Sequence, residues 1–134
     1  MANALYGKGK EKLLTAAINL SSDTIKVALV SSAYSPNLST DEFHSGISAN
    51  ILGTPQTLGS KTITLGVFDA ADITFAAVTA GSTASRLVIY KDTGLSASSP
   101  LLAVIDTITG FPLATNGGDI QVVWDSGANK IFSL

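Results

Sequence analysis

The sequence predicts a mostly-β domain, an antiparallel β-sandwich led by a short N-terminal helix or arm. Three observations carry that prediction. From Thr24 onward apolar and polar residues alternate with the period of a strand. The apolar runs are rich in Ile, Val, Thr and aromatic residues, which suit a pleated, half-buried surface. Glycine- and aspartate-containing turns divide the runs at short intervals, and no β-α-β alternation occurs.

The 134 residues fit one domain, with residues 1–22 as an N-terminal arm or helix and 23–134 as the sandwich. Within the first 19 residues, Leu13, Leu14, Ala17 and Ile18 have the i, i+3, i+4 spacing of one helix face. Gly7 and Gly9 each cost about 1 kcal/mol relative to alanine inside a helix. Leu5 and Tyr6, apolar residues ahead of this glycine-interrupted segment, are poorly placed for the core of a sandwich. They are the candidate interface residues, expected to reach a neighbouring subunit. Deleting residues 1–9 is expected to leave a folded domain.

The first strand runs from Thr24 to Val30, with Ile25, Val27 and Leu29 on its buried face. Residues 32–48 form a long connection, in which the capping-box spacing of Ser39-Thr40-Asp41-Glu42 predicts a helical turn around Asp41–Ser45. Further strands are expected over Lys61–Phe68, Asp72–Val78, Ser85–Tyr90, Leu101–Thr107, Asp119–Trp124 and Lys130–Phe132. Such short, evenly spaced strands permit a sandwich with jelly-roll-like connections or a small barrel. The alternation places Ile25, Val27, Leu29, Phe75, Val88, Tyr90, Val104, Val122 and Trp124 in the core.

Composition narrows the function. Charged residues are 13% of the chain, about half the usual share, and the formal net charge is −2. No long-range field favours nucleic acid or an anionic membrane. The mean hydropathy is +0.37, and Ser and Thr together number 30. A hydroxyl-rich surface with so few charges is weakly protected against association, which suits a face covered in an assembly. No apolar run approaches the ~20 residues of a membrane helix. Cysteine is absent, so disulfides, thiolate metal sites and cysteine nucleophiles are excluded.

Few groups could carry chemistry. His44 is the only histidine, so neither a two-histidine metal site nor a conventional catalytic triad is expected from one chain. It stands near Asp41 and Glu42, but a polar turn explains it without a metal. Gly7-Lys8-Gly9-Lys10 lacks the spacing, the Lys-Ser/Thr pair and the preceding strand of a phosphate loop. Asp69, Asp72, Asp92, Asp106, Asp119 and Asp125 lie mostly in or beside turns, where aspartate bonds its own backbone. The expectation is a protein without catalytic residues, metal or cofactor.

Three segments resemble a known family. They are Ala4-Leu5-Tyr6-Gly7-Lys8-Gly9-Lys10-Glu11 with Asp23-Thr24-Ile25-Lys26-Val27-Ala28-Leu29-Val30; then Gly66-Val67-Phe68-Asp69-Ala70-Ala71-Asp72-Ile73-Thr74-Phe75 with Leu87-Val88-Ile89-Tyr90-Lys91-Asp92-Thr93-Gly94; and finally Asn116-Gly117-Gly118-Asp119-Ile120 with Trp124-Asp125-Ser126-Gly127-Ala128-Asn129-Lys130-Ile131-Phe132. Together they resemble small structural proteins of tailed bacteriophages, namely the cement or head-decoration proteins on the outside of capsids. The resemblance implies a virion protein, made in the host cytoplasm, whose partner is the major capsid protein. It implies self-association as a dimer or trimer, and no catalytic residues. A tail or neck protein of the same broad class is the alternative location. A carbohydrate-binding or hydrolytic β-domain is the alternative of another class.

Overall fold

The computed structural model describes residues 3–128 and 130–134. Its strands are β1 (Ala4–Leu5), β2 (Ile25–Ser31), β3 (Ile51–Thr57), β4 (Thr62–Thr64), β5 (Val67–Asp69), β6 (Ile73–Phe75), β7 (Thr83–Lys91), β8 (Leu101–Ile105), β9 (Leu113–Ala114), β10 (Ile120–Val122) and β11 (Phe132–Ser133). One α-helix, α1, spans Gly7–Leu14. The main sheet has the order β1-β8-β7-β2-β3, with β9 added to the far end of β7, and every pairing is antiparallel. Two smaller antiparallel sheets, β10-β6 and β11-β5-β4, form the second layer of a β-sandwich.

Strand alternation explains where the core lies. Ile25, Val27 and Leu29 of β2, with Leu87 and Ile89 of β7, pack in one cluster with Phe68, Ile73, Phe75, Ile120, Val122 and Trp124 of the second layer. All nine core residues expected from the sequence are buried. The opposite face of the main sheet is buried as well. Ala28, Val30, Val88, Tyr90, Leu101 and Val104 form a second cluster there, covered by Tyr6, Tyr34 and Ile47. The central strands are therefore apolar on both faces.

That second cluster corrects the expectation for the N-terminal segment. Tyr6 has no exposed surface, its backbone N–H donates to Leu102 O at 2.9 Å, and its hydroxyl lies 2.7 Å from that of Tyr34. Leu5 is half-buried and pairs with Ala103 as part of the main sheet. The segment is the outer strand of its own domain, and Tyr6 is not available to another subunit. The reason is that the sheet has a second apolar face, and the tyrosine ring fills part of the gap above it.

α1 is shorter than its apolar pattern suggested. It ends where Ala16 takes a positive φ of 61°, and the amides of Ala17 and Ile18 both donate to Lys12 O. Leu13, Leu14, Ala17 and Ile18 thus share no face: Ile18 is buried, whereas Leu14 is 88% exposed. Gly9 is the buried residue of the helix, since a Cβ there would come within 2.7 Å of Leu101 O and 2.9 Å of Leu102 Cα. Glycine at this position is what lets α1 lie directly on β8.

Other differences are local. The expected strand Lys61–Phe68 is a hairpin, because Leu65 and Gly66 both adopt positive φ and turn the chain between Thr64 and Val67. Strand β3 lies in a stretch where no strand was expected. Gly53, with positive φ, and Pro55 interrupt its alternation, and the pairing with β2 jumps from Val27↔Gln56 to Leu29↔Leu52. The turn expected over Asp41–Ser45 falls slightly later, as two 3₁₀ turns at His44–Gly46 and Ser48–Asn50.

Candidate functional site

The segment between β2 and β3 is laid over the second face of the main sheet by a small polar network. Tyr34 donates from its hydroxyl to Asp41 Oδ2 at 2.6 Å, and the same carboxylate oxygen accepts from Asn37 N–H at 2.8 Å. Arg86 reaches from β7 to the carbonyl of Tyr34 at 2.9 Å. Burial pushes the Tyr6 hydroxyl up to about 12. Burial also raises Tyr34, helped by its hydrogen bond to Asp41. Both phenols stay neutral and hold the strap in place.

Tyr6 is buried within its own domain, so the exposed apolar side chains elsewhere are the other candidates for contact. The large apolar side chains left outside include Leu14, Leu65, Leu95, Val123 and Leu134. Two of them share one tip of the molecule. Leu65 is 98% exposed in the β4–β5 turn, and Leu134 N–H donates to the adjacent Gly66 O. Ile63 on the edge strand β4 is half exposed next to them. A separate open cleft of about 830 Å3 is lined by Leu5, Ile105, Ile108, Val123, Trp124 and Phe132, with Lys10, Asp125 and Lys130 also on its walls.

Charges are largely used within the domain. Lys26 pairs with Asp92 at 2.9 Å, Lys91 with Asp23 at 3.1 Å, Lys12 with Glu42 at 3.0 Å, and Lys8 with Glu11 at 3.3 Å. Two aspartates take the turn role expected of them: Asp92 accepts from Gly94 N–H and Asp125 from Gly127 N–H. Asp119, by contrast, accepts from the distant Ala77 N–H. Asp72 instead accepts the backbone N–H of Trp124 at 3.0 Å, while the indole N–H donates to Ala71 O. Among the described residues no group of three or more His, Asp or Glu is placed to hold a metal ion. Asp41, Glu42 and His44 point to three different partners: Tyr34, Lys12 and Ser96.

The last of these contacts was missed by sequence reasoning. His44 Nδ1 and Ser96 Oγ are 2.7 Å apart, in a small pocket of about 160 Å3 lined by His44, Tyr90, Asp92, Gly94, Leu95, Ser96 and Ser99. The imidazole lies 4.8 Å from the Tyr90 ring, centroid to centroid. Desolvation there lowers the pKa of His44, a shift that nearby Asp92 opposes. A single histidine suffices for a serine–histidine pair. No local motif could have revealed it, because 52 positions separate the partners and only the folding of the strap brings them together.

Compared with known proteins, the chain matches no family model and no curated sequence.

Proposed function

We propose that this protein is a capsid cement protein of a tailed bacteriophage, bound to the outside of the major capsid protein lattice. The observation that carries the proposal is the resemblance of blocks from Ala4 to Phe132 to that family, in the same order along the chain. The fold supports it physically. A compact sandwich with two buried faces keeps its shape when surface contacts change, and the chain has few charges but several bare leucines on its surface. Apolar contact contributes about 25 cal/mol per Å2 buried, and many weak copies on one lattice add up. The tip formed by Leu65 and Leu134 is the apolar surface best suited to that role.

The test is cryo-electron microscopy of intact particles carrying this protein. The expected result is density for this fold on the outer face of the head, repeated with the lattice symmetry. Density confined to the tail or neck would replace cement with the tail-protein reading. Absence from particles, together with glycan binding in a screen, would remove the virion role altogether.

A further inference from the structure

The pocket around His44 has the parts of a nucleophilic site, and nothing in the cement role uses it. Ser96 Oγ is exposed and sits 2.7 Å from His44 Nδ1, hydrogen-bond distance for a serine and its base. The loop presenting the serine is ordered by its own hydroxyls. Buried Ser99 accepts from Thr93 N–H at 3.0 Å and donates to Leu95 O at 2.8 Å, while Thr93 Oγ1 lies 2.7 Å from Ser98 Oγ. On the other side, His44 N–H donates to Ser99 O at 2.8 Å, which ties the two loops together. The Tyr90 ring packs against the imidazole, and Asp92 is held beside it by Lys26 and by Gly94 N–H. His44 is thus positioned by second contacts and Ser96 by the hydrogen-bonded loop around it, and neither is at a frayed end.

We propose that Ser96 is a histidine-activated nucleophile that accepts small acyl groups from activated esters. In the reaction, Ser96 Oγ bonds to the ester carbonyl carbon and its proton passes to His44 Nδ1. The bond from the carbonyl carbon to the leaving oxygen breaks, and that oxygen departs with the electron pair. The leaving oxygen takes the proton from His44, which then accepts one proton of the water that attacks the acyl-serine; the carboxylic acid leaves, and Ser96 Oγ takes that proton from His44. The pocket beside the pair, about 160 Å3, has room for a small acyl group. The lowered pKa of His44 supports the assignment, since the neutral imidazole needed as base predominates at neutral pH. This site is independent of the cement role and stands or falls by itself.

The probe is p-nitrophenyl acetate, added to the full chain with release of p-nitrophenolate followed in time and the acetylated residue located by peptide mass mapping. The expected result is a burst approaching one equivalent, with acetate on Ser96. The burst rate should rise with pH to a plateau whose midpoint lies below the ordinary histidine value. S96A should abolish the burst, and H44Q should slow it about 100-fold, the usual contribution of a general base. Thermal unfolding of both variants shows whether each is folded, and mapping of the unaltered chain does not depend on either. Acetate found only on lysines, or a burst that H44Q leaves unchanged, would overturn the proposal.

Discussion

Trp124 joins the second layer to the loop that precedes β6. Its ring is 6% exposed in the main cluster, its indole N–H reaches Ala71 O, and its backbone N–H reaches Asp72. Replacing it by alanine removes a large buried ring and leaves the carbonyl of Ala71 without that donor. Trp124→Ala should lower stability by about 3–5 kcal/mol, measured by urea denaturation, a large share of a usual total of about 5–15. An unchanged midpoint would mean that the ring is peripheral. The tyrosines give a second test at this scale. Burial raises Tyr6 and Tyr90 to about 12, whereas an unfolded chain ionises them near 10. Above pH 10 the unfolded chain loses these protons first, so their contribution to stability is intact below pH 10 and lost as pH rises through 12. Melting temperature followed across that window should fall steeply. Tyr6→Phe should flatten the fall, at the cost of the Tyr34 hydrogen bond. Trp124 and Tyr90 were legible as core residues because each sits in an alternating run. Tyr6 was not, because only the fold shows that the main sheet has a second face to cover.

At the scale of elements, local propensity and tertiary packing disagree in α1. Helix propensity alone makes Gly9→Ala stabilising by about 1 kcal/mol. Packing says the opposite. The new methyl would meet the backbone of Leu101 and Leu102 at 2.7–2.9 Å, closer than real Cβ contacts come, and neither strand nor helix can yield without breaking the sheet edge. Gly9→Ala should therefore destabilise by about 1–3 kcal/mol, the range for overpacked cores, and a raised melting temperature would show that α1 is free to lift off β8. The same contrast explains which elements the sequence revealed. β2, β7 and β8 are apolar, and their positions agree closely with the expected runs. β3 carries Gly53 and Pro55, and a bulge breaks its period, so its strand character comes from pairing with β2 alone. The β4–β5 hairpin was hidden because Leu65-Gly66 lacks the Asn-Gly or Asp-Gly signature of such turns.

For the whole molecule, the surface decides how it attaches to anything else, and surface patches are the features least legible in one sequence. The low charge count was plain from composition, but the tip of Leu65 and Leu134 arises only because the C-terminal residues pair with the β5 side of a hairpin. Its character sets the expected response of attachment to ionic conditions. Steep salt dependence requires many opposite charges meeting across an interface with release of counter-ions. Here Lys8, Lys12, Lys26 and Lys91 are already paired with carboxylates of the same chain. Apolar contact is strengthened rather than weakened by excluded salts such as sulfate. On the proposed cement role, protein retained on decorated particles should therefore change little as sodium chloride is raised, and should not decrease in sulfate. A chelator should leave it in place, because the carboxylates of Asp72, Asp92, Asp119 and Asp125 are engaged by backbone N–H groups of their own domain. Sedimentation of particles after each treatment, with the protein quantified in the pellet, measures both effects. Release by chelator at constant salt would show that a bridging cation, not the apolar tip, holds the protein to its lattice. If Leu65→Ser lowers retention about tenfold while leaving the melting temperature unchanged, the tip is the attachment surface. Equal retention of that variant would move the contact to another face of the sandwich.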